Sequence, residues 1–358
     1  MKTVVILAAG MGTRFNSKEP KCLSAVDNQS VISRAIGQVN RYIPDAKIKV
    51  VVGYNREQIE NHTAGYGISY VVNDKFASDK NIWSAVLGAK GAKDGVLILE
   101  GDCVYDDLAF REIGASLSKD SVMFLGGQAD QNKSNGIVRV KNNLFEDFII
   151  GKRNGPIDDQ YFDMTGALWI SSDDVSTFVA EASSLAKGGL DFYYFEPLFD
   201  KEKFHLTCKI VSGKRYTFNT QSEYESMLKN IGATIYFDTS KLKHIESFSK
   251  KRVAWLKKKI LDEKIWTRPI CVDPNGLVMD GQHRMEVSKE LGLKKVPVIV
   301  FDYSDVEFFS LRKNYEVSVE SIRNRVDQDD IYPYKTVKHK FPVEITDCNI
   351  SLDSLLYP

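Results

Sequence analysis

The sequence lacks several features that would assign it to a specialised class of protein. Its five cysteines are scattered, odd in number and without C-x-x-C spacing, so free thiols in a reducing cytoplasm are expected. No apolar run is long enough to span a bilayer. The 48 basic residues are balanced by 48 acidic ones, without the basic excess of a dedicated DNA-binding protein. We therefore expect a soluble cytoplasmic protein with neither a nucleic-acid nor a membrane partner; the sequence leaves its oligomeric state open.

The composition is that of a globular chain large enough for two domains. Its 358 residues are 43% hydrophobic and 27% charged. Apolar strand patterns alternate with helical patterns up to residue 100, which predicts a mainly parallel sheet with helices on both faces. Later strands are separated by turn-rich segments, and the pattern restarts near residue 230. We therefore predict an α/β, Rossmann-like domain with a mixed sheet over residues 1–229 and a smaller α+β domain over residues 230–358.

The strand predicted at residues 3–7 ends in a glycine-rich loop. The loop reads Leu7-Ala8-Ala9-Gly10-Met11-Gly12-Thr13-Arg14-Phe15 and is followed by Pro20-Lys21-Cys22-Leu23. Small residues let backbone N–H groups approach a phosphate closely, and Arg14 and Lys21 add positive charge for a triphosphate. Asp102 ends a later buried strand, where a carboxylate can hold a divalent metal. An ordinary Rossmann turn is the alternative, but the length of the string favours phosphate chemistry.

This string resembles that of the sugar-phosphate and alcohol-phosphate nucleotidyltransferases, and the resemblance covers residues 1–229. Asn73, the run Asp79-Lys80-Asn81-Ile82-Trp83-Ser84 and Val104-Tyr105-Asp106 are similar to segments of the phosphocholine and phosphonate cytidylyltransferases. The resemblance implies CTP as donor, Mg²⁺ as cofactor, phosphate contacts from Arg14 and Lys21, and a metal ligand in Asp102. The residues it implies along the nucleotide are Leu7, Ala8, Ala9, Gly10, Gly12, Thr13, Asn73, Asn81 and Ser84.

A second metal ligand of this family lies late in the domain, in a motif of the form D-[ST]-x-x-[DE]. The matching stretch is Asn219-Thr220-Gln221-Ser222-Glu223, in which Asn219 replaces the aspartate. An asparagine keeps an oxygen ligand and removes a charge, so Asn219 is expected to complete the metal site. Capping the helix that follows is the alternative role for Asn219, and the two roles are compatible.

A second candidate site begins at a predicted strand-to-helix junction, Met279-Asp280-Gly281-Gln282-His283-Arg284. A glycine and the unpaired N–H groups of a helix start favour an anion there. Asp280 is a candidate for holding a metal or orienting a hydroxyl, and His283 and Arg284 are candidates for neutralising a transferred phosphate. An ordinary helix cap beside a buried histidine is the alternative.

Three stretches of the second half resemble the ParB/sulfiredoxin-like fold: residues 268–273, residues 280–284 and Val296-Pro297-Val298. That fold includes ParB-type chromosome-segregation proteins, nucleases, sulfiredoxins and free serine kinases, so it does not by itself assign a function. A sulfiredoxin is disfavoured because no cysteine lies in or beside the loop at 280–284. The basic run at residues 241–259 is interleaved with apolar residues, as in an amphipathic helix with one solvated face, which disfavours DNA binding.

Two further segments favour the serine-kinase branch. Leu242-Lys243-His244-Ile245-Glu246 resembles the kinase segment whose glutamate is the catalytic base. Beside this base, the junction is expected to supply Asp280 and His283 as catalytic residues and Gly281, Gln282 and Arg284 as nucleotide contacts. Pro333-Tyr334-Lys335-Thr336-Val337-Lys338-His339 resembles the segment that holds the phosphate and carboxylate of the substrate, which implies substrate contacts from Lys335, Thr336, Lys338 and His339. Gln282 replaces a histidine usual in these kinases, which leaves ATP or ADP open as the donor.

Together the two resemblances predict a bifunctional enzyme acting on small molecules. The second domain phosphorylates L-serine to O-phospho-L-serine, and the first couples that phosphoserine to CTP, giving CDP-L-serine and pyrophosphate. One alternative is a cytidylyltransferase for another phosphorylated or phosphonate alcohol, with a ParB-like module that binds a nucleotide without kinase activity. A regulatory or DNA-associated protein with a degenerate transferase domain is a third possibility, disfavoured by intact Arg14, Lys21 and Asp102.

Overall fold

The chain forms two compact units. The computed structural model describes residues 1–15, 19–26, 29–129, 136–151, 157–231, 234–345 and 347–356. Unit 1 comprises Met1–Ala25 and Gln29–Tyr224, and unit 2 comprises Glu225–Pro358 with the short segment Val26–Asn28. Within the described ranges, no helix combines the length and apolarity needed to cross a membrane. The five cysteines all lie in those ranges, are buried and form no disulfide.

The elements up to residue 230 alternate strand and helix in the first third and become richer in strands afterwards. The strands are β1 (Thr3–Ala8), β2 (Ala25–Val26), β3 (Gln29–Ser30), β4 (Lys47–Val52), β5 (Ser69–Val72), β6 (Val96–Glu100), β7 (Cys103–Tyr105), β8 (Ser121–Gln128), β9 (Ile137–Lys141), β10 (Leu144–Ile149), β11 (Tyr161–Ile170), β12 (Leu206–Ile210) and β13 (Arg215–Thr217). The helices are α1 (Val31–Tyr42), α2 (Arg56–His62), α3 (Ile82–Ala89), α4 (Asp107–Ala115), α5 (Val175–Gly188) and α6 (Gln221–Asn230).

The main sheet of unit 1 is mixed. In the described part of the chain, nine strands form it in the order β5-β4-β1-β6-β11-β8-β12-β10-β9. β1 pairs in parallel with β4 and β6, and β4 pairs in parallel with β5, whereas β11 pairs antiparallel with β6 and β8. The register Leu7↔Glu100 brings the carboxyl ends of β1 and β6 side by side. Ligands of open α/β sheets bind at such carboxyl ends, so this edge positions the site.

Strand β1 is apolar from Val4 to Ala8 because both faces of the sheet are covered there. Val4 and Ile6 of β1 pack into one hydrophobic core, and the intervening Val5 packs into the core on the opposite face. Side chains alternate across a strand, so a run buried on both faces reads as continuous hydrophobic sequence. Ser30 and Asp106 begin α1 and α4 by accepting hydrogen bonds from helix N–H groups.

Unit 2 is built around a smaller mixed sheet. Its strands are β14 (Ile235–Asp238), β15 (Lys243–His244), β16 (Ile265–Trp266), β17 (Ile270–Val272), β18 (Leu277–Asp280), β19 (Lys295–Val300), β20 (Glu307–Ser310), β21 (Val337–Lys340) and β22 (Ile350–Ser351). Its helices are α7 (Lys250–Glu263), α8 (Gln282–Glu290), α9 (Val319–Asp327) and α10 (Leu352–Leu356). Among the described residues, five strands pair in the order β14-β19-β17-β18-β15.

The predicted fold class of the first domain is confirmed, with parallel strands first and antiparallel strands afterwards. The short strands β7 and β13 were not predicted, because three-residue strands leave almost no periodic signal. The structure divides the chain between Tyr224 and Glu225, inside α6. The domain boundary at residues 229 and 230 and the ParB-like character of the second half stay predictions.

Candidate active site

A cavity of about 720 Å³ lies in unit 1, lined in part by the carboxyl ends of β1 and β6. The loop after β1, the start of α3, the turn after β6 and the strand β13 with the residues after it all contribute to its lining. The predicted site residues that line it are Leu7, Ala8, Ala9, Gly10, Gly12, Thr13, Arg14, Lys21, Asn81, Ser84, Asp102 and Asn219. The fold therefore brings the first and last parts of unit 1 to one place.

The loop after β1 is shaped by Gly12 and anchored by Phe15. Gly12 has a φ of 58°, in the left-handed region that favours glycine. The Phe15 N–H donates to Gly12 O at 2.9 Å, and the Phe15 ring packs edge-on against Phe218 and Tyr224 at centroid distances of 5.1 and 5.7 Å. Arg14, next to this buried ring, stays exposed at the cavity. Its guanidinium is thus available to a phosphate.

Lys21 links the two predicted metal ligands. Its Nζ lies 2.5 Å from Asp102 Oδ2 and 3.3 Å from Asn219 Oδ1, and the lysine side chain is only 10% exposed. The same ammonium lies 4.9 Å from the centre of the Phe218 ring, a cation–π distance. A positive charge therefore already lies between the oxygen atoms of Asp102 and Asn219, so these two side chains converge as a cation site requires.

Oxygen ligands at this point suit Mg²⁺. Glu100, Asp102 and Cys103 place potential ligand atoms within 4.8 Å of one another. Burial raises the pKa of the Cys103 thiol to about 12, so it is protonated at neutral pH and a poor ligand. Burial, and next the charge of Asp102, raise the pKa of Glu100, while nearby Arg215 and Lys21 counteract this. The oxygen atoms of Asp102 and Asn219, which meet around Lys21 Nζ, fit the hard cation that the resemblance implies.

Asn219 does not cap α6. The Oγ1 of Thr220 accepts from the Glu223 N–H at 3.2 Å, and Glu223 Oε2 accepts from the backbone N–H of Asn219 at 2.5 Å. The cap therefore belongs to Thr220, which stands immediately before the first residue of α6. The Asn219 side chain is directed to Lys21 instead, so the N-cap interpretation of Asn219 is wrong and its proximity to Asp102 remains.

Asn73 lies behind the cavity and does not line it, although direct contact with the nucleotide was expected. It is fully buried, and its Nδ2 donates to Asp79 Oδ2 and to Ser84 Oγ, both at 2.8 Å. Asp79 also accepts from the backbone N–H groups of Trp83 and Ser84 at 3.0 and 2.9 Å. The amide of Asn73 is thus occupied in positioning Asp79 and Ser84, which do line the cavity.

Two charged residues of the cavity, Glu100 and Arg215, were not predicted. Glu100 immediately precedes the Gly101-Asp102 pair, so its position beside the predicted metal site could have been inferred from the sequence. Arg215 lies in the short strand β13, whose pairing with β7 aligns it with Tyr105. Only that long-range pairing brings Arg215 to the cavity, and no local pattern indicates it.

In unit 2, the predicted junction forms a turn between β18 and α8. Gly281 has a φ of 104°, which favours glycine, and Arg284 forms an ion pair with Asp280 at 2.9 Å. His283 Nε2 accepts the Ser249 N–H at 3.2 Å. Burial, and next the charges of Arg252 and Arg284, lower the pKa of His283, so its imidazole is largely neutral at pH 7.

Gln282 is used inside the fold. Only 6% of it is exposed, its Nε2 donates to Val278 O at 2.7 Å, and its Oε1 lies 2.5 Å from His244 Nδ1. The other ring nitrogen of His244 lies 2.7 Å from Glu286. The predicted nucleotide contact of Gln282 is therefore replaced by a link to His244. The His244–Glu286 pair was missed, because the two residues lie 42 positions apart in sequence.

The structure brings the predicted base and the predicted substrate segment together. Glu246 Oε2 accepts from the backbone N–H groups of Thr336 and Val337 at 2.8 and 3.0 Å. Lys335 has a φ of 59°, and this left-handed residue turns the two N–H groups toward one anion. The prediction that this segment binds an anion thus has a geometric basis, but the anion bound here is the carboxylate of Glu246.

The side chains of the 335–339 segment divide into an exposed and a buried set. Lys335 and Lys338 are exposed and remain candidates for a phosphate. Thr336 is fully buried and donates to Pro333 O at 2.7 Å. His339 is 6% exposed among aromatic rings, and burial lowers its pKa to about 4. The side chains of Thr336 and His339 therefore pack inside the fold. Because both are buried, the predicted contacts of these two side chains with substrate are replaced by contacts within the protein.

The loop, the cationic side chains and the strand-end carboxylates define unit 1 as a nucleotidyltransferase-type α/β domain. Residues 4–131 match the MobA-like NTP transferase domain. The bifunctional protein GlmU of Francisella tularensis subsp. novicida is 37% identical over 101 residues, which cover 28% of this chain and 22% of that protein. The chain thus spans about a fifth of the length of the curated relatives it matches.

Solved structures with the same fold include two enzymes that use CTP. The CTP:phosphocholine cytidylyltransferase from Streptococcus pneumoniae matches with a TM-score of 0.54 and 19% identity, over 64% of this chain and 98% of that one. The inositol-1-phosphate CTP transferase from T. maritima matches with a TM-score of 0.50 and 16% identity, over 64% and 96%. At these identities the similarity establishes the fold alone.

Proposed function

We propose that residues 1–229 are a cytidylyltransferase that couples O-phospho-L-serine to CTP. The observation that carries the proposal is the convergence of the glycine-rich loop, Lys21, Asp102 and Asn219 on one cavity. Solved structures of the same fold, named for CTP with phosphocholine and with inositol-1-phosphate, support the donor and the substrate class, a small phosphorylated alcohol.

The proposed reaction needs charge neutralisation and alignment more than acid–base chemistry. A phosphate oxygen of phosphoserine attacks the α-phosphorus of CTP, the new P–O bond forms, and the bond from that phosphorus to the bridging oxygen of the β-phosphate breaks. The products are CDP-L-serine and pyrophosphate. Loop N–H groups, Arg14 and Lys21 offset the triphosphate charge. Asp102 and Asn219 would hold Mg²⁺, which when bound neutralises charge on the phosphates.

The test uses the full chain with CTP, Mg²⁺ and O-phospho-L-serine. We expect CDP-L-serine by mass spectrometry together with released pyrophosphate. Asp102→Asn is expected to lower kcat/KM by about 100- to 1000-fold, whereas Asp107→Asn, which changes an exposed carboxylate paired with Arg41, should leave it unchanged. If CDP products form with other phosphorylated alcohols but not with phosphoserine, the proposed substrate is wrong and the transferase class still holds.

The second half, residues 230–358, is assigned the phosphorylation of L-serine. The serine hydroxyl attacks the terminal phosphorus of ATP or ADP, its proton passes to Glu246, and ADP or AMP leaves. Asp280, His283 and Arg284 lie at the start of α8, where helix N–H groups favour a phosphate. Support for the pairing of the two activities is chemical, because the phosphomonoester made by one reaction is the nucleophile of the other.

The bonding of Glu246 favours a second candidate, a nucleotide-binding module without kinase activity. Its Oε2 already accepts two backbone N–H groups. Hydrogen bonds to a carboxylate stabilise the charged form, which makes it a weaker base. In this candidate the transferase acts on another phosphorylated or phosphonate alcohol made elsewhere.

Glu246→Gln separates the two candidates. With isotope-labelled L-serine and either ATP or ADP, a kinase is expected to lose labelled phosphoserine by about 100- to 10,000-fold in this variant. Conversion of added phosphoserine to CDP-L-serine should be unaffected. Glu290→Gln, which removes an exposed carboxylate paired with Lys257, is the matched control. Equal phosphoserine formation in the wild type and Glu246→Gln would show that Glu246 is not the base, and no formation in either would favour the second candidate.

A further inference from the structure

Two oppositely charged side chains of the cavity have no role yet assigned with respect to the substrate. Glu100 ends β6, and Arg215 begins β13, which pairs antiparallel with β7. Side chains alternate along a strand, and Arg215 and Thr217 both line the cavity, so this face of β13 is its wall. The cavity therefore presents a carboxyl group and a guanidinium beside the glycine-rich loop.

We propose that Glu100 and Arg215 recognise the ammonium and the carboxylate of an α-amino-acid phosphate. They thereby select O-phospho-L-serine over phosphorylated alcohols that carry one charge or none. This inference rests on the cytidylyltransferase proposed above and adds the residues that determine its substrate.

The distances within the site suit this substrate. The ligand atom of Glu100 lies within 4.8 Å of that of Asp102. In phosphoserine, four bonds separate the phosphorus from the amino nitrogen and four from the carboxylate carbon, a reach of roughly 5 Å when extended. If the phosphate of phosphoserine lies beside Asp102, its ammonium and carboxylate therefore reach as far as the Glu100 carboxylate.

Arg215 has one hydrogen-bond donor that the protein does not use, although its side chain also bonds Cys103. Its Nε is buried and, within the described part of the chain, has no hydrogen-bond partner. Burial lowers the pKa of Arg215, but the neighbouring Cys103 and Glu100 raise it overall, so the guanidinium is charged. A buried donor such as this Nε costs free energy when it has no acceptor. A carboxylate matches the planar fork of arginine and supplies two acceptors at once.

Gly166 defines where the Glu100 carboxylate lies. Its φ is 75°, and a Cβ at this position would lie 2.7 Å from Glu100 Oε2 and 2.9 Å from Cys103 Sγ. Only a glycine leaves this space to the carboxylate. A recognition group needs its position set by packing, as here.

The discriminating experiment compares phosphoserine with two analogues, each of which lacks one of its charged groups. Phosphoethanolamine lacks the carboxylate of O-phospho-L-serine, and 3-phosphoglycerate has a hydroxyl where phosphoserine has the ammonium. With full-length protein, CTP and Mg²⁺, we expect kcat/KM for phosphoserine to exceed that for each analogue by about 100-fold or more, because each analogue lacks the charged group that Glu100 or Arg215 is proposed to bind.

Each variant is expected to lose the preference for phosphoserine over one of the two analogues. Arg215→Gln is expected to reduce the preference over phosphoethanolamine at least about tenfold and to keep the preference over 3-phosphoglycerate. Glu100→Gln is expected to reduce the preference over 3-phosphoglycerate and to keep the preference over phosphoethanolamine. Arg139→Gln, which removes a partly exposed arginine paired with Glu146 and Asp158, is the control and should keep both preferences.

Several results would overturn the inference. Arg215→Gln lowering kcat/KM equally for all three substrates would place Arg215 on a phosphate. An equal loss in Glu100→Gln with a higher Mg²⁺ requirement would make Glu100 a metal ligand only. If Arg215→Gln does not fold, Arg215→Lys keeps the charge without the fork and should show a smaller loss of the same preference. No CDP product from any substrate would overturn the transferase itself, whereas product without discrimination overturns only this inference.

Discussion

The ammonium of Lys21 occupies the space between the two predicted metal ligands, which leads to a prediction with two opposite effects. Lys21→Met keeps the length and apolar body of the side chain and removes its charge. In the free protein, Mg²⁺ must displace the ammonium from Asp102 and Asn219. We therefore expect the variant to bind the metal more tightly while it catalyses more slowly.

The magnitude follows from the two contacts. A charge-assisted hydrogen bond in a partly buried site contributes about 1.5–3 kcal/mol, and the Lys21 side chain is 10% exposed. Removing this competitor should tighten binding of Mg²⁺, or of Mn²⁺ as its probe, by about 10- to 100-fold. The same change removes a cation from the triphosphate, which should lower kcat/KM by about 100- to 1000-fold.

Isothermal titration calorimetry with Mn²⁺ on the nucleotide-free protein measures the first effect, and release of pyrophosphate measures the second. Lys80→Met is the control, because Lys80 also lines the cavity but is 40% exposed and paired with Asp191. Unchanged or weaker metal binding in Lys21→Met would refute the reasoning, since it would mean that Asp102 and Asn219 are not the metal ligands.

Three further changes test the supporting structure. Gly166→Ala places a Cβ 2.7 Å from Glu100 Oε2 at a φ of 75°, and should lower the free energy of unfolding by about 2–4 kcal/mol in urea titrations; an unchanged midpoint would contradict the packing. Asn73→Ala leaves Asp79 short of a donor, and should cost about 1–3 kcal/mol and raise KM for CTP more than it lowers kcat. His339 has a pKa lowered by burial from 6.5 to about 4, so the unfolded chain gains a proton first and stability falls by up to about 3 kcal/mol between pH 6.5 and 4. His339→Phe should remove that part of the acid sensitivity, and equal acid slopes in both proteins would argue against a buried neutral histidine.

The first candidate site was largely predictable because its signals are local. The glycine-rich string, Lys21 and Asp102 stand at strand ends whose apolar runs are evident in the sequence, and all of them line the cavity. Asn73 also stands at a strand end, but its burial depends on Asp79 and Ser84 closing around it. Position along a strand predicts the edge of a sheet, whereas exposure depends on the neighbours.

The second site shows the same limit. Glu246 contacts Thr336 and Val337 through backbone N–H groups, and backbone geometry leaves little trace in side-chain identity. Thr336 and His339 were assigned to substrate because their segment resembles the one that holds the phosphate and carboxylate of the substrate in the serine kinases. Their burial could not be predicted from the sequence, because it arises from the aromatic rings and the turn that surround them in the fold.

The sequence by itself determined the α/β class, the order of strands and helices in the first third, and the position of the glycine-rich loop, because each depends on periodicity or on residues adjacent in the chain. Only the tertiary structure decided that Arg215 lies at the cavity with Glu100, that Lys21 lies between Asp102 and Asn219, and that Gln282 is bound to His244. These outcomes depend on contacts between residues far apart in sequence and on the desolvation that those contacts produce.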